Sequence, residues 1–301
     1  MEKKVEQSCP VCDSKNKAIY LEPWNTEESP DRLYGAASGI RGCQTLVKCK
    51  DCGMIYESPR YSDETIVEAY KNSEEAGHDS QYGMRVKSFK KALESLAARI
   101  PEKGAKVLDI GTAGGAFLEA ATKFGYDAYG MEPSADLTNR GVARGLNIRQ
   151  GTIDSHTFPE ESFDMITLWD VIEHLPDPKT ALIEVNRLLR PGGTLLINYP
   201  DIGTKQAAIA GKSFWWILSV HLHHFTRKSI KSICDKTGFS VVWYQRYWQI
   251  LEIGYLQKIA QVYNIPLSRT IERLTPGFIK RVELPYYASQ TTVIARKGDQ
   301  K

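Results

Sequence analysis

The feature that most restricts how this chain can fold is a short apolar run that breaks into glycines and re-forms as a helix: Val107-Leu108-Asp109-Ile110-Gly111-Thr112-Ala113-Gly114-Gly115-Ala116-Phe117. Small residues let the backbone approach a ligand closely, and the start of the helix offers free N–H groups. Turns of this kind receive nucleotides in doubly wound sheets. Glycine also serves tight strand-to-helix packing alone, so the turn takes its meaning from the residues downstream of it.

From this turn onward the pattern alternates. Strand patterns occupy Lys106 to Ile110, Ala128 to Glu132, Ile148 to Gly151, Phe163 to Trp169 and Thr194 to Asn198, with helical patterns at Gly115 to Phe124, Ala135 to Arg144 and Lys179 to Leu189. Such alternation predicts an α/β fold, a doubly wound Rossmann-like sheet with ligands beyond the carboxyl ends of its strands. After Pro200 the rhythm breaks. An aromatic run, Phe214-Trp215-Trp216-Ile217-Leu218, and a histidine cluster, His221, His223 and His224, precede a helix from Thr226 to Thr237. An aromatic strand from Phe239 to Trp248, a helical stretch from Gln249 to about Lys280 and a last strand from Ala288 to Arg296 complete the chain. Before the turn, an amphipathic helix from Arg85 to Arg99 shows Phe89, Leu93 and Leu96 on one face, and Ser62-Asp63-Glu64-Thr65 caps a short helix to about Tyr70. The expected organisation is a unit over 1–60, a helical linker over 61–100 and a domain over 101–301. That domain carries a lid at about 201–226 and a helical insertion at about 249–285. His78 reads as an exposed loop histidine.

Four of the six cysteines form two tight pairs, Cys9-Pro10-Val11-Cys12 and Cys49-Lys50-Asp51-Cys52. Two such knuckles supply the four thiolates of a tetrahedral structural zinc, and four protein sulfurs leave no open position for chemistry. The 36-residue spacer makes this a zinc ribbon with an inserted loop. Redox dithiols or free core cysteines are the alternatives. The opening Met-Glu-Lys-Lys-Val-Glu-Gln-Ser lacks the apolar core of a signal peptide, so a cytoplasmic setting is expected, where metal precedes disulfide. Cys43 and Cys234 read as ordinary buried thiols.

Glu132 ends the second strand about twenty residues after the glycine loop, where an acid can accept both hydroxyls of an adenosine ribose. Asp154, just past the third strand, can accept an adenine amino group. Asp109, inside the apolar run, requires donors such as the loop N–H groups.

The run Val107-Leu108-Asp109-Ile110-Gly111-x-Ala113-x-Gly115, Glu132, the segment Asp164 to Pro178 with its Trp169-Asp170-Val171-Ile172-Glu173-His174, and Leu188-Leu189-Arg190-Pro191-Gly192-Gly193 resemble the successive motifs of class I S-adenosylmethionine-dependent methyltransferases. The resemblance spans roughly residues 85 to 246. Gly211 to Trp216 with His223-His224-Phe225-Thr226 is similar to a block of the ubiquinone-methyltransferase-like branch. The paired knuckles resemble a zinc-binding extension of members linked to sugar and surface-polysaccharide biosynthesis. By this resemblance Asp109, Gly111, Ala113 and Gly115 flank the methionine half of the cofactor, Glu132 the ribose and Asp154 the adenine, while Trp169-Asp170 lines the floor beneath the sulfonium. Ala113 departs from the family glycine and fits if its φ is negative.

Methyl transfer to a small acceptor follows from the resemblance, with a sugar hydroxyl or carbon, nucleotide-linked or in a surface glycan, as the leading acceptor. An oxygen or nitrogen acceptor also calls for a base. His174, His223 and His224 are candidates, His224 or His223 foremost beside the aromatic lid, with structural hydrogen bonding as the alternative for each. Asp170, Glu173 and His174 resemble a cluster that holds a divalent metal in some ubiquinone-branch enzymes; a structural role is the alternative. RNA is a rival acceptor, gripped by the ribbon, but residues 9 to 52 carry six basic and six acidic side chains, and the whole chain is only +3. A non-catalytic adenosylmethionine-binding scaffold is the rival of another class. No apolar run reaches membrane-spanning length, although Trp215-Trp216 offers a peripheral membrane contact.

Overall fold

The computed structural model describes residues 3–26, 29–34, 41–72, 81–153, 158–262 and 266–298. The first part of the chain contains β1 (Lys17–Leu21), α1 (Pro30–Tyr34), β2 (Leu46–Cys49), β3 (Ile55–Glu57) and α2 (Asp63–Lys71). Then come α3 (Tyr82–Leu96), β4 (Lys106–Ile110), α4 (Ala116–Phe124), β5 (Asp127–Glu132), α5 (Ala135–Ala143), β6 (Ile148–Gln150), β7 (Phe163–Trp169) and α6 (Pro178–Leu188). The last part holds β8 (Leu189–Pro200), α7 (Lys205–Ala210), β9 (His223–His224), α8 (Arg227–Lys236), β10 (Phe239–Glu252), α9 (Ile253–Val262), α10 (Ser268–Leu274), α11 (Gly277–Lys280) and β11 (Glu283–Lys297).

Seven strands form one sheet in the order β10-β11-β8-β7-β4-β5-β6. The five from β8 to β6 are parallel, and β11 and β10 close the edge antiparallel. The chain runs outward from β4 to β6, then returns to the other side of β4 with β7. Two connections therefore diverge at the carboxyl ends of β4 and β7, which opens a crevice for a ligand. Helices cover both faces, so the central strands are apolar on both sides: Val107, Leu108, Met165, Ile166 and Leu168 are buried. This is the doubly wound sheet that the alternation predicts.

The cysteine-bearing segment is woven into the rest. Its sheet runs β1-β2-β3-β9, and its last strand is His223–His224, with Ile55 opposite His224 and Tyr56 opposite His223. Cys9, Val11, Val47, Met54 and Tyr56 belong to the same hydrophobic cluster as Leu108, Ile166 and Leu195 of the main sheet. Lys179 Nζ pairs with Asp13 at 2.6 Å, and Arg60 donates to the Pro176 carbonyl at 3.1 Å.

Three strands run longer than the periodicity suggests. β8 begins at Leu189 and takes in Pro191-Gly192-Gly193, and β10 continues to Glu252, because β11 extends to Glu283 and pairs with it. Strand pairing here overrides local helical pattern. The cap at Ser62 forms as expected, its hydroxyl accepting from Thr65 N–H.

Candidate functional site

At the end of β4 the chain turns through Gly111 (φ +67), Ala113 (φ +50) and Gly115 (φ +86) into α4. A Cβ at Gly111 would lie 2.6 Å from Val171, and one at Gly115 would lie 2.3 Å from Leu146. The loop is thus packed against its neighbours from behind, and the positive φ at both positions favours glycine. The negative φ expected for Ala113 is not found. Its N–H donates to Glu132 Oε2 at 2.9 Å, a bond that ties the loop to β5 and holds the residue in the left-handed region. The other oxygen, Glu132 Oε1, accepts from Ser134 N–H at 2.9 Å, and the side chain is fully buried. Burial pushes its carboxyl up to about 7, against the pull of those two N–H groups.

Asp109 is also buried, and burial lifts it to about 7. Its donor is the Thr167 hydroxyl of the adjacent strand, at 2.5 Å, where the sequence pointed to loop N–H groups. A cavity of about 450 Å³ opens beside this loop and is lined by Gly111, Ala113, Met131, Trp169 and Asp170. Glu132 lies between two lining residues, Met131 and Pro133, without lining the cavity itself. Asp170 (φ +56) accepts from Asn198 Nδ2 at 2.7 Å and Gln290 Nε2 at 2.6 Å, and burial raises it to about 6. Arg85 of α3 lines the same space, and its positive charge acts on both Asp109 and Asp170.

Away from the glycine loop the cavity is lined by Glu173, His174, Trp216 and His221, and Tyr34 and Tyr70 enter its lining from the first part of the chain, Tyr70 within reach of the charges of Glu132 and Arg85. His174 Nδ1 bonds the Val220 carbonyl at 3.0 Å and His221 Nδ1 bonds the Trp216 carbonyl at 2.8 Å. A carbonyl only accepts, so each Nδ1 carries the proton and each Nε2 keeps its lone pair. Burial holds His174 down at about 4 and His221 well below the usual histidine range, so both rings are neutral at pH 7. Glu173 is buried with neither carboxyl oxygen hydrogen-bonded among the described residues. Burial, reinforced by Asp170, pushes it far above the usual carboxylate range. One ligand-type atom from each of Glu173, His174 and His221 lies within 4.8 Å of the others. His221 thus joins Glu173 and His174, while Asp170 is engaged by its two amides.

His223 and His224 do not line the cavity. His223 Nε2 bonds the Leu175 carbonyl at 2.9 Å, its N–H donates to the Glu173 carbonyl, and both residues serve β9. Both indoles of the aromatic run, Trp215 and Trp216, donate to the Ala288 carbonyl, at 3.1 and 2.5 Å, so their N–H groups are turned inward while the rings stay half-buried. Asp154 and His78 lie outside the described residues.

Away from the cavity, Cys9, Cys12, Cys49 and Cys52 bring four sulfurs within 4.8 Å of one another. The separations Cys9–Cys52 and Cys12–Cys49 are 3.4 and 3.5 Å, too long for disulfides and close to the ~3.8 Å edge of a zinc–sulfur tetrahedron with ~2.3 Å bonds. Both knuckles close alike, Asp13 N–H donating to Cys9 O and Gly53 N–H to Cys49 O. The donor set and spacing fit zinc.

Sequence reasoning named His221 without assigning it a role and passed over Arg85, Tyr34 and Tyr70. A signal for Arg85 was present: it stands one helical turn before Phe89, on the face that α3 buries. Nothing local marks the two tyrosines, which reach the cavity through long-range packing.

A family model described as a methyltransferase domain matches residues 81–243, more than half of the chain. A ubiquinone biosynthesis O-methyltransferase from Methylococcus capsulatus is 30% identical over 113 residues, covering 35% of this chain and 48% of that protein. One from Xanthomonas campestris pv. campestris is 31% identical over 143 residues, covering 44% and 60%. The chain therefore spans about half the length of the curated relatives it matches. Among solved structures, the complex between the Haloferax volcanii Trm112 methyltransferase activator and a methyltransferase contains a similar chain. The TM-score is 0.53 at 18% identity over 75% of this chain and all of that one, which is a likeness of fold.

Proposed function

The chain belongs to the methyltransferase-domain family, with the class I S-adenosylmethionine-dependent architecture, and on that premise we propose that it transfers a methyl group to a small acceptor, a sugar hydroxyl or carbon foremost. The observation that carries this reading is a single cavity joining the glycine loop at Gly111 to the imidazoles of His174 and His221. Its volume of about 450 Å³ lies within the ~300–1,000 Å³ range of small-molecule sites.

S-adenosylmethionine, when bound, supplies an electrophilic methyl group on a sulfonium. At the loop end, Asp170 and Arg85 offer opposite charges to the ammonium and carboxylate of an amino acid. Glu132 keeps the ribose assignment that the resemblance implies, with Met131 and Pro133 on either side of it lining the cavity. A cation beside Asp170 would pull its carboxyl back toward the ionised form. Asp154 keeps the adenine assignment that the resemblance implies. At the far end, His221 Nε2 or His174 Nε2 takes the acceptor proton, each ring being oriented by its carbonyl bond. Glu173, held protonated, can donate to the acceptor.

His223 and His224 then act as positioning residues, fixing the ribbon against this chamber. The four-cysteine cluster holds a structural zinc. A second reading of Glu173, His174 and His221 is a divalent cation that orients a diol, supported by the two unpartnered Glu173 oxygens.

Radiolabelled methyl donor incubated with nucleotide sugars, catechols and RNA in parallel tests the acceptor class; label in the sugars alone supports the reading, and label in RNA alone overturns it. His221→Ala should leave donor affinity by calorimetry unchanged and lower turnover by ~10²–10⁴-fold. An unaltered rate removes His221 as the base.

A further inference from the structure

The insertion between β10 and β11, residues 253–282, has its amphipathicity reversed. α10 meets α9 through polar groups: Gln257 Nε2 donates to Thr275 Oγ1 at 2.7 Å, Gln261 Nε2 donates to Glu272 Oε2 at 2.9 Å, and Lys280 pairs with Glu272. Leu267, Ile271 and Leu274, spaced i, i+4, i+7, share one face and are 73%, 54% and 76% exposed. Phe278 of α11 is 75% exposed beside them in sequence. α9 has an apolar sequence, yet none of its described side chains is buried. Packing inward through amides while turning leucines to water leaves an apolar face that calls for a partner.

The charge of the insertion indicates which partner. Residues 253–282 carry five basic side chains, Lys258, Arg269, Arg273, Lys280 and Arg281, against one acid, Glu272. Arg269, Arg273 and Arg281 are exposed and form no ion pair with another described residue. Where the β10–β11 pair leads into the insertion, Trp248 packs on Tyr287 and stays 48% exposed. Exposed apolar residues among arginines, with an amphipathic indole alongside, have the composition of helices that lie in the head-group plane of an anionic bilayer. A second copy of this chain on the same face would set these cations against one another.

We propose that the α9–α11 insertion docks the protein on an anionic lipid surface, with Leu267, Ile271, Leu274 and Phe278 in the head-group boundary and Arg269, Arg273 and Arg281 on the phosphates. Tyr255, in the first turn of α9, lines the cavity together with Gln249 and Leu251, so the insertion borders the cavity at its base. Docking is a property of this face and stands apart from the identity of the reaction.

Flotation of the full-length protein with phosphatidylcholine vesicles, with and without ~30% phosphatidylglycerol, tests this at low and high salt. Binding to the anionic vesicles alone, weakened by salt, is expected. Ile271→Asp with Leu274→Asp should lower the partition coefficient by ~tenfold or more. Arg269→Glu with Arg273→Glu should lower it by a comparable ~tenfold. Both double variants should keep the thermal midpoint of the parent, which separates lost docking from lost folding. Failure to float with anionic vesicles, equal binding to neutral ones, or wild-type flotation of Ile271→Asp/Leu274→Asp overturns the proposal. A concentration-dependent dimer dissolved by Ile271→Asp assigns the face to a second copy and overturns it as well.

Discussion

At the glycine-loop end, the cavity is bounded by one continuous turn, Gly111 to Gly115, braced from β5 by Glu132; at the histidine end it is bounded by Glu173, His174, Trp216 and His221, and Tyr34, Tyr70 and Tyr255 complete the lining from segments more than 200 residues apart in the chain. The first end is backbone set by local geometry. The second is assembled from distant loops, beside the place where the cysteine-bearing segment packs on the domain through β3 on β9 and a shared hydrophobic cluster. Donor binding and acceptor binding should therefore respond differently to damage, and that difference can be tested.

The largest effect is expected at the cysteines. Zinc in a four-thiolate site contributes ~10–16 kcal/mol of apparent binding free energy, most of it folding energy of the segment around it. Cys49→Ser, or chelation, should release β1, β2 and β3, and with them the bond from Glu57 N–H to Leu222 O that fastens this segment to the residue just before β9. Hydrogen exchange should show β3 and β9 amides losing protection while β4 and β5 keep theirs, and donor affinity should persist. Loss of protection throughout the chain, or protection at β3 unaffected by chelation, would break the division between the two ends.

A smaller effect, confined to the loop end, is expected at Glu132. Its two oxygens accept from Ala113 and Ser134 N–H groups in a fully buried setting. Glu132→Gln keeps one carbonyl oxygen and turns an amide toward the other donor, leaving a buried N–H unmet at a cost of ~1–3 kcal/mol. Unfolding free energy should fall by that amount and donor affinity should fall with it, while exchange in the β3–β9 pair stays unchanged. A variant with full stability would show that the carboxylate does not brace the loop.

The same contrast explains what could be read from the sequence. The strand–helix alternation, the glycine turn, the place of Glu132 at a strand end and the two cysteine knuckles were legible because each is set by short-range periodicity or spacing. Trp169 and Asp170, placed by the end of β7, also fall on the cavity wall as the resemblance implied. The acceptor end was not legible in this way. The tandem histidines that the sequence favours, His223 and His224, form a strand under the ribbon, because β3 needs a pairing edge; His221, three residues from His224, faces the cavity instead. Tyr34 and Tyr70 come from a segment that reads as a separate unit and linker. Ala113 departs from expectation for a local reason: its φ depends on where Glu132 draws its N–H, which no pattern in the loop reveals.

That position also supplies the smallest test. An alanine at φ +50 carries ~1–2 kcal/mol of strain relative to the right-handed region. Ala113→Gly removes the strain, but glycine also gives the unfolded chain more freedom, which offsets ~0.4–1 kcal/mol of the gain. The balance is a stabilisation of ~0.5–1 kcal/mol, a rise of ~1–3 °C in the thermal midpoint for a chain of this size. The sign is the informative part. If Ala113 took a negative φ in solution, only the unfolded-state term would remain and the midpoint would fall, and the loop would not be held in its binding shape before the donor arrives. A rise shows that the Glu132 brace maintains a strained turn in the free protein, so that the loop end of the cavity is preorganised independently of the ribbon that completes the other end.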